Sequence, residues 1–527
     1  MFRFLPKGPI MTTQAITANG ALSNSSMGDE NLAPLVEYLT KSGTYLSRSQ
    51  LETDRDMEKL FSASPELALK LVFYGRMISR KPTKCDNQVT GLGIRNEFHQ
   101  ALVYLHNNHP DLLYPNLHLI PRVGCWKDLM VPPVCNTLDA DQIYLLLSEG
   151  IKNNDQLVFK FLPTIREGSK ARSERDRARS KFALGFCKFL GINTKTYRKM
   201  KASGTAHTFQ QDMSAGRFQE LDFSKIPSRA LRNLTHKTGK DGQTTIARHN
   251  QEDRFIKFLL SGKEINFVGY PFELLKDAKK ATSRYQKELV NLQYWSLLEK
   301  ARASCTLGNV LPVLDTSGSM SWNSFGGATP LDICLSMGIL LADLNEGWFH
   351  NKVCMFESMS WMETLSGSFC DKVKQIPENA MGSTNFESAV DLMIKLKKDH
   401  PEIPTSEFPK TVLVISDMQF NPVGNNVQTN AKIAKERLAK AGIEGVTFVW
   451  WFVNNEHSEF PVTLKDQGML TISGFDPSNL KTLLGMGNKE VSQGTETKQE
   501  ERAETTPLDG LLNLLRQDLL SEIVIAA

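Results

Sequence analysis

The chain lacks the short signatures of most enzyme classes. It has no Gly-x-Ser-x-Gly elbow, no Gly-x-x-x-x-Gly-Lys-Ser/Thr loop, no His-Glu-x-x-His and no dinucleotide fingerprint. No activated nucleophile, phosphate cradle or zinc helix can therefore be read from it, and a catalytic role is not expected. Its eight cysteines, at 85, 125, 135, 187, 305, 334, 354 and 370, include no Cys-x-x-Cys pair. Such scattered thiols read as reduced, packed and cytoplasmic, which leaves out a zinc site or disulfide frame. No stretch approaches the roughly 18 consecutive apolar residues of a membrane span. The start, Met1 to Met11, has no sustained apolar core, so no secretory leader is predicted. No clean internal repeat period is present either.

What is present is a moderately polar chain of 527 residues, 41% hydrophobic and 23% charged. That length exceeds one hydrophobic core and predicts several domains. Its most informative feature is Asp315-Thr-Ser317-Gly-Ser319, directly after the apolar run Asn309 to Leu314. The run reads as a buried parallel strand, and the residues after it as a loop at the strand's carboxyl end. Ligands collect at that end of open α/β sheets. One carboxylate and two hydroxyls on a tight turn suit a hard divalent cation, Mg²⁺ first. Two later segments add to it. Gly382-Ser383-Thr384-Asn385-Phe386 offers the Thr384 hydroxyl at a helix start, and Thr411 to Asp417 is a second apolar run ending in an aspartate.

Two strand-end aspartates, a Ser-x-Ser turn and a loop threonine, in this order, resemble the metal-ion-dependent adhesion site of von Willebrand A (vWA) domains. The resemblance implies that Ser317, Ser319 and Thr384 are direct or near-direct ligands of Mg²⁺ or another divalent cation. It places Asp315 and Asp417 mostly behind coordinated water.

The pattern of the chain predicts five segments. Residues 1–30, rich in Ser, Thr, Asn, Gly and Ala, read as a flexible arm. From 31 to 302 the periodicity is helical, for example at 31–41, 64–78, 95–107, 140–151, 179–190 and 251–260, which suggests stacked helical hairpins of HEAT-like kind. Over 303–485 strand-like and helical runs alternate, which predicts a doubly wound parallel sheet with strands at 309–315, 352–357, 411–417, 445–453 and 468–473. Residues 486–507 read as a disordered linker. Residues 508–527 carry leucines at helical spacing and read as an amphipathic helix. The fold class is multidomain α plus α/β.

Net charge is only +4, yet it is uneven: 160–201 holds thirteen Lys or Arg against three acids. Such density suggests contact with nucleic-acid phosphates, against the alternative of a solvated helix face.

The helical part carries a second resemblance. Phe73-Tyr-Gly-Arg76-Met-Ile-Ser-Arg80, Arg95-Asn-Glu-Phe98 and Ile120-Pro-Arg-Val-Gly124-Cys-Trp126-Lys127-Asp128-Leu129 follow one another at short spacing. With Leu190 to Lys199, Met213 to Arg217, Phe223 to Ala230, Arg248-His249 and Ser416 to Phe420, this succession resembles the TROVE module and vWA domain of the Ro ribonucleoprotein family and its uncharacterised phage, fungal and plant relatives. The resemblance implies a HEAT-like helical ring closed by a vWA domain, acting in small-RNA stabilisation or RNA quality control. It implies single-stranded or small structured RNA as partner. RNA-contact candidates are Arg76, Arg80, Arg122, Lys127, Lys170, Arg172, Arg175, Arg229, Arg232, Lys237 and Arg248, with Arg76 and Arg248 read equally as helix-capping or buried-pair arginines and Trp126 as turn packing before stacking platform.

A competing reading is a vWA-mediated protein-interaction or assembly factor, phage-encoded and without RNA binding, whose metal takes a carboxylate from a protein partner. A third is a structural component with a vestigial metal site. A monomer without membrane attachment is expected in each case.

Overall fold

The computed structural model describes residues 14–28, 31–42, 48–78, 89–166, 173–203, 209–304, 310–321, 328–356, 358–377, 382, 384–404, 407–422, 429–454, 459–474, 479 and 505–525. It joins many helices to one six-stranded, mostly parallel sheet, an α plus α/β fold. The chain divides into two units. One comprises Met1–Leu46, Tyr270–Lys280 and Leu297–Asn513, and the other Ser47–Gly269, Ala281–Ser296 and Leu514–Ala527. This interleaving differs from the linear order read from the sequence, because two short helical segments belong to the α/β unit.

The α/β unit is built on the apolar runs. Strand β3 is Val310–Asp315, β4 Lys352–Phe356, β5 Ser360–Thr364, β6 Thr411–Ser416, β7 Thr447–Phe452 and β8 Met469–Ser473. Their order across the sheet is β5-β4-β3-β6-β7-β8. All pairs are parallel except β4 with β5. Both β3 and β6 are buried along their whole length, as an interior strand covered on both faces requires. The chain leaves β3 toward β4 on one side and later returns to β6 on the other. A switch point therefore lies between β3 and β6, where a crevice opens at the strands' carboxyl ends.

Helix Pro330–Leu344 crosses from β3 to β4 and is buried at all but one position, which suits its near-continuous apolar sequence. A capping box between Thr329 and Asp332 starts it. At Gly338 an added Cβ would stand 2.3 Å from Leu314 Cδ1, so glycine lets this helix approach β3.

The amino-terminal stretch is not simply a flexible arm. Strands β1, Gln14–Ile16, and β2, Leu22–Asn24, form an antiparallel hairpin within the α/β unit. Its Ser, Thr and Asn content serves hydrogen bonds: Thr17 Oγ1 donates to Phe420 O at 2.7 Å, and Ser23 Oγ to Phe460 O at 2.7 Å. Helix Ala33–Ser42 packs on β8.

In the helical unit, helices such as Gln50–Ala63, Pro65–Arg76, Asn96–Asn108, Ala140–Lys152, Glu174–Phe189 and Ser228–His236 pack through apolar faces. One core gathers Leu221, Phe223, Phe255, Leu259, Tyr285 and Leu289. The carboxyl-terminal segment is two short helices, Pro507–Leu515 and Asp518–Ser521, rather than one. The break falls at Gln517, whose side chain bonds both backbone groups of Thr90, Oε1 accepting at 2.8 Å and Nε2 donating at 3.2 Å. Apart from residues 505–507, the expected linker 486–507 lies outside the described residues.

Candidate metal centre and cationic surface

The three ordered motifs meet at the carboxyl ends of β3 and β6. Asp315 ends β3 and is fully buried, and Asp417 directly follows β6 at 2% exposure. The Ser317 N–H donates to Asp315 Oδ1 at 2.9 Å, and Ser416 Oγ donates to Asp315 Oδ2. These bonds fix the carboxylate and turn the chain sharply. Ser317 Oγ and Ser319 Oγ lie 3.3 Å apart on that turn. The Gly318 N–H donates to Gly382 O at 3.3 Å, which brings Gly382 against the serine turn. Thr384 O in turn accepts from Asn421 N at 2.8 Å, tying the loop to the segment after β6. Just beyond Asp417, Met418 has a φ of 64°, a left-handed conformation rare for a side-chain-bearing residue. Its N–H donates to Ser416 Oγ at 2.8 Å, and the Gln419 N–H to Asp417 Oδ1 at 3.2 Å.

The electrostatics of the pair are costly without a counter-charge. Burial, then the neighbouring Asp417 carboxylate, pushes the Asp315 carboxyl up to about 7. Burial first, and Asp315 second, likewise push the Cys334 thiol up, so this cysteine is a packed thiol and not a nucleophile. Among the described residues no three His, Cys, Asp or Glu side chains cluster as a metal-binding set. The donors here are two carboxylates and three hydroxyls, a hard-oxygen set suited to Mg²⁺ and unsuited to zinc.

The hairpin turn between β1 and β2 was not anticipated at this site. Ala18 N donates to Gln419 Oε1 at 2.6 Å, and Asn19 Nδ2 to Gln419 O at 2.5 Å and Thr384 Oγ1 at 3.4 Å. No local pattern in residues 17–20 carries a signal for this long-range docking.

The RNA-contact candidates separate into groups. Arg80, Lys170 and Arg172 lie outside the described residues. Arg76 is a correction: at 1% exposure it donates from Nε and Nη2 to Asp128 Oδ2, at 2.9 and 2.7 Å. His99 Nε2 sits 2.9 Å from Asp128 Oδ1, and Cys125 N donates to Oδ2 at 2.9 Å. An added Cβ at Gly124 would stand 2.3 Å from Asp128 Oδ2, so this glycine makes room for the charge cluster. The Pro-x-x-Gly-x-Trp-x-Asp-Leu turn is thus a buried polar knot. Trp126 is packing, its Nε1 donating to Asp155 Oδ2 at 2.7 Å. Arg122 makes a two-pronged ion pair with Glu522, and Arg248 with Asp241. His249 stacks on Phe218, with centroids 3.5 Å apart at 11°.

Other candidates face outward. Arg175, Arg229 and Lys237 are exposed, and Arg232 is half-buried with its guanidinium 5.9 Å from the Phe267 ring centre. Lys127 is half-buried, and burial, then the charges of Arg95, Arg175 and Arg179, hold its ammonium below the usual lysine range. Helices Asn96–Asn108 and Glu174–Phe189 both pack on Pro132–Cys135, which brings these cations to one side. Among the described residues, Arg95, Lys127, Arg175 and Arg179 have no carboxylate within ion-pair distance. Arg179 belongs to the basic run 160–201, whereas Arg95, far from Lys127 in sequence, is not among the RNA-contact candidates.

Among the described residues no helix is long and apolar enough to cross a membrane. Residues 309–514, which contain all five metal-site candidates, match the family model described as Domain of unknown function (DUF7788). The chain is also similar to Uncharacterized protein L728 of Acanthamoeba polyphaga mimivirus, 25% identical over 400 residues that cover 69% of this chain and 68% of that protein. That alignment is longer than the 309–514 region, so the likeness extends beyond the matched domain.

Proposed function

We propose that the chain is an RNA-binding protein of Ro type, acting in small-RNA stabilisation or RNA quality control. In this reading a HEAT-like TROVE module binds single-stranded or small structured RNA, and a vWA domain holds Mg²⁺ that captures an acidic side chain of a protein partner. The observation that carries it is the meeting of Asp315, Ser317, Ser319, Thr384 and Asp417 at the switch point between β3 and β6. Ligands of Mg²⁺ at about 2.1 Å in octahedral geometry stand about 3 Å from their neighbours. The 3.3 Å separation of the two serine hydroxyls is close to that edge. A cation would also offset the repulsion between two buried carboxylates. In this reading the direct protein ligands are three neutral hydroxyls and the aspartates stand behind coordinated water, which leaves a position on the ion for an external carboxylate. Nothing in the donor set generates hydroxide or moves a proton to substrate, so adhesion suits it better than hydrolysis.

The RNA half of the proposal is supported by the cations around Lys127, which are suited to phosphates. The assembly-factor reading uses the same metal site. One observation favours it: Arg76, Arg122 and Arg248 are engaged by carboxylates of the chain itself. Absorbance ratio and nuclease sensitivity of the purified protein separate the two. Copurifying RNA supports the Ro-type reading. Nucleic-acid-free protein that shows no salt-sensitive binding to single-stranded RNA supports the assembly factor.

A further inference from the structure

The cations around Lys127 concentrate more charge in one place than a nucleic-acid backbone offers to balance. Burial, and then Arg95, Arg175 and Arg179, weaken the hold of Lys127 on its proton, so all three guanidiniums are close to it. Their elements share one support: Asn96–Asn108, Trp126–Met130 and Glu174–Phe189 each pack on the short helix Pro132–Cys135. Arg175 and Arg179 stand four residues apart on Glu174–Phe189, which puts them on one face of it. Arg95 is the N-cap residue of Asn96–Asn108 and makes no side-chain capping bond, and Arg175 lies in the first turn of its own helix. The positive ends of two helix dipoles therefore add to the side-chain charges.

The neighbouring acids do not balance this charge. Glu97, two residues after Arg95, faces Arg48 at 3.8 Å. Asp128, beside Lys127, is taken by Arg76 at 2.7 Å and by His99 at 2.9 Å. Asp176, beside Arg175, pairs with Arg166 at 3.0 Å. Glu174 adjoins Arg175 in the chain, and successive residues on a helix do not face each other. Each acid within two residues of the cluster is thus directed elsewhere, and the positive charge is left for a ligand. A backbone phosphodiester brings one negative charge, and the next stands a nucleotide away. A terminal phosphate monoester brings about two, and an oligophosphate carries more on adjoining groups. Arginine forks beside a lysine point charge suit several phosphate oxygens held together.

We propose that Arg95, Lys127, Arg175 and Arg179 form a site for a terminal phosphate or oligophosphate group, supplied in the RNA reading by the 5′ end of the strand. The inference rests on that reading for the source of the group alone, since a free oligophosphate carries the same chemistry. Backbone phosphates satisfy the cluster only in part, so the site prefers an end to an internal stretch.

The test uses the full chain and polyuridine oligonucleotides labelled at the 3′ end, bearing a 5′-triphosphate, a 5′-monophosphate or a 5′-hydroxyl, in fluorescence anisotropy at one salt concentration. The triphosphate is expected to bind roughly tenfold tighter than the hydroxyl, with the monophosphate between them, because each added charge-assisted contact strengthens binding. Arg95→Gln with Arg175→Gln, both at exposed positions, should erase that order, and Lys225→Gln should keep it. Equal affinity for all the ends overturns the end site and leaves RNA binding standing. An order that survives the double variant overturns it too, because the end is then read elsewhere. A chain that binds none of the oligonucleotides but binds inorganic tripolyphosphate in calorimetry, with the double variant losing it, overturns the RNA reading and supports the site for a free oligophosphate. A chain that binds neither overturns both.

Discussion

Arg76 meets Asp128 through two hydrogen bonds to one oxygen, 2.9 and 2.7 Å long, with both side chains 1% exposed. His99 and the Cys125 amide bind the same carboxylate. An arginine that local sequence offers to RNA is thus spent on holding two helices and a turn together. A buried pair and an RNA contact are equal readings of Arg76 in the sequence, because the partner that decides between them lies 52 residues away.

Truncating Arg76 leaves Asp128 charged and buried. Arg76→Ala is expected to destabilise the helical unit by about 3–5 kcal/mol, the usual cost of breaking a buried pair. Urea unfolding followed by circular dichroism measures it. A loss below about 1 kcal/mol contradicts the structural role.

The same knot predicts an acid-sensitive element. Burial alone would raise the Asp128 carboxyl, but the His99 and Arg76 bonds outweigh it and hold it at about 2. A carboxyl lowered on folding contributes stability above its ordinary value of 3.8, and that stability is lost as pH falls toward 2. Between those limits the wild type should lose about 2 kcal/mol more than Asp128→Asn, when the two unfolding curves are compared from pH 5 to pH 2.

Much of the α/β unit was legible because its signals are local. The runs 309–315, 352–357, 411–417, 445–453 and 468–473 are apolar enough to read as interior strands, and each is a strand in the sheet. Strand β5 was missed because Ser360–Thr364 is a short, half-exposed edge without a clear apolar face. The amino-terminal hairpin was missed for a different reason. Residues 14–24 have loop composition, and their partners Gln419, Phe420 and Phe460 are about four hundred residues away. The Asp315–Asp417 centre could be read because each donor sits at the end of its own recognisable run. Lys127 and Arg175 are legible as single cations, but their grouping with Arg95 and Arg179 is not, since the four come from three separate elements.

Charge reversal at that cluster should weaken RNA binding without sequence preference. Each phosphate contact removed on a single strand lowers the slope of log affinity against log salt by about 0.7. Lys127→Glu with Arg175→Glu is expected to lower it by about 1.4, measured by fluorescence anisotropy with a polyuridine oligonucleotide. Lys225→Glu, at an exposed site ion-paired with Asp222, should leave the slope unchanged. Equal slopes in all three proteins would place RNA elsewhere on the chain.

The buried carboxylates predict an inverse effect at the metal centre. Asp315→Asn removes a charge that burial and Asp417 both oppose, so without divalent ions it should unfold no earlier than wild type. With Mg²⁺ at about a hundred times its dissociation constant, wild type should gain about 2.7 kcal/mol and the variant nothing. Thermal unfolding with and without Mg²⁺ reads both arms.

The most direct test of the account is calorimetric titration of Mg²⁺ into the full chain, with Asp315→Asn, Thr384→Val and Asp417→Asn alongside. One site per chain in the wild type, lost or strongly weakened in each variant, is the predicted result. Absence of binding in the wild type, or binding that survives all three substitutions, would contradict a cation centre built from these residues.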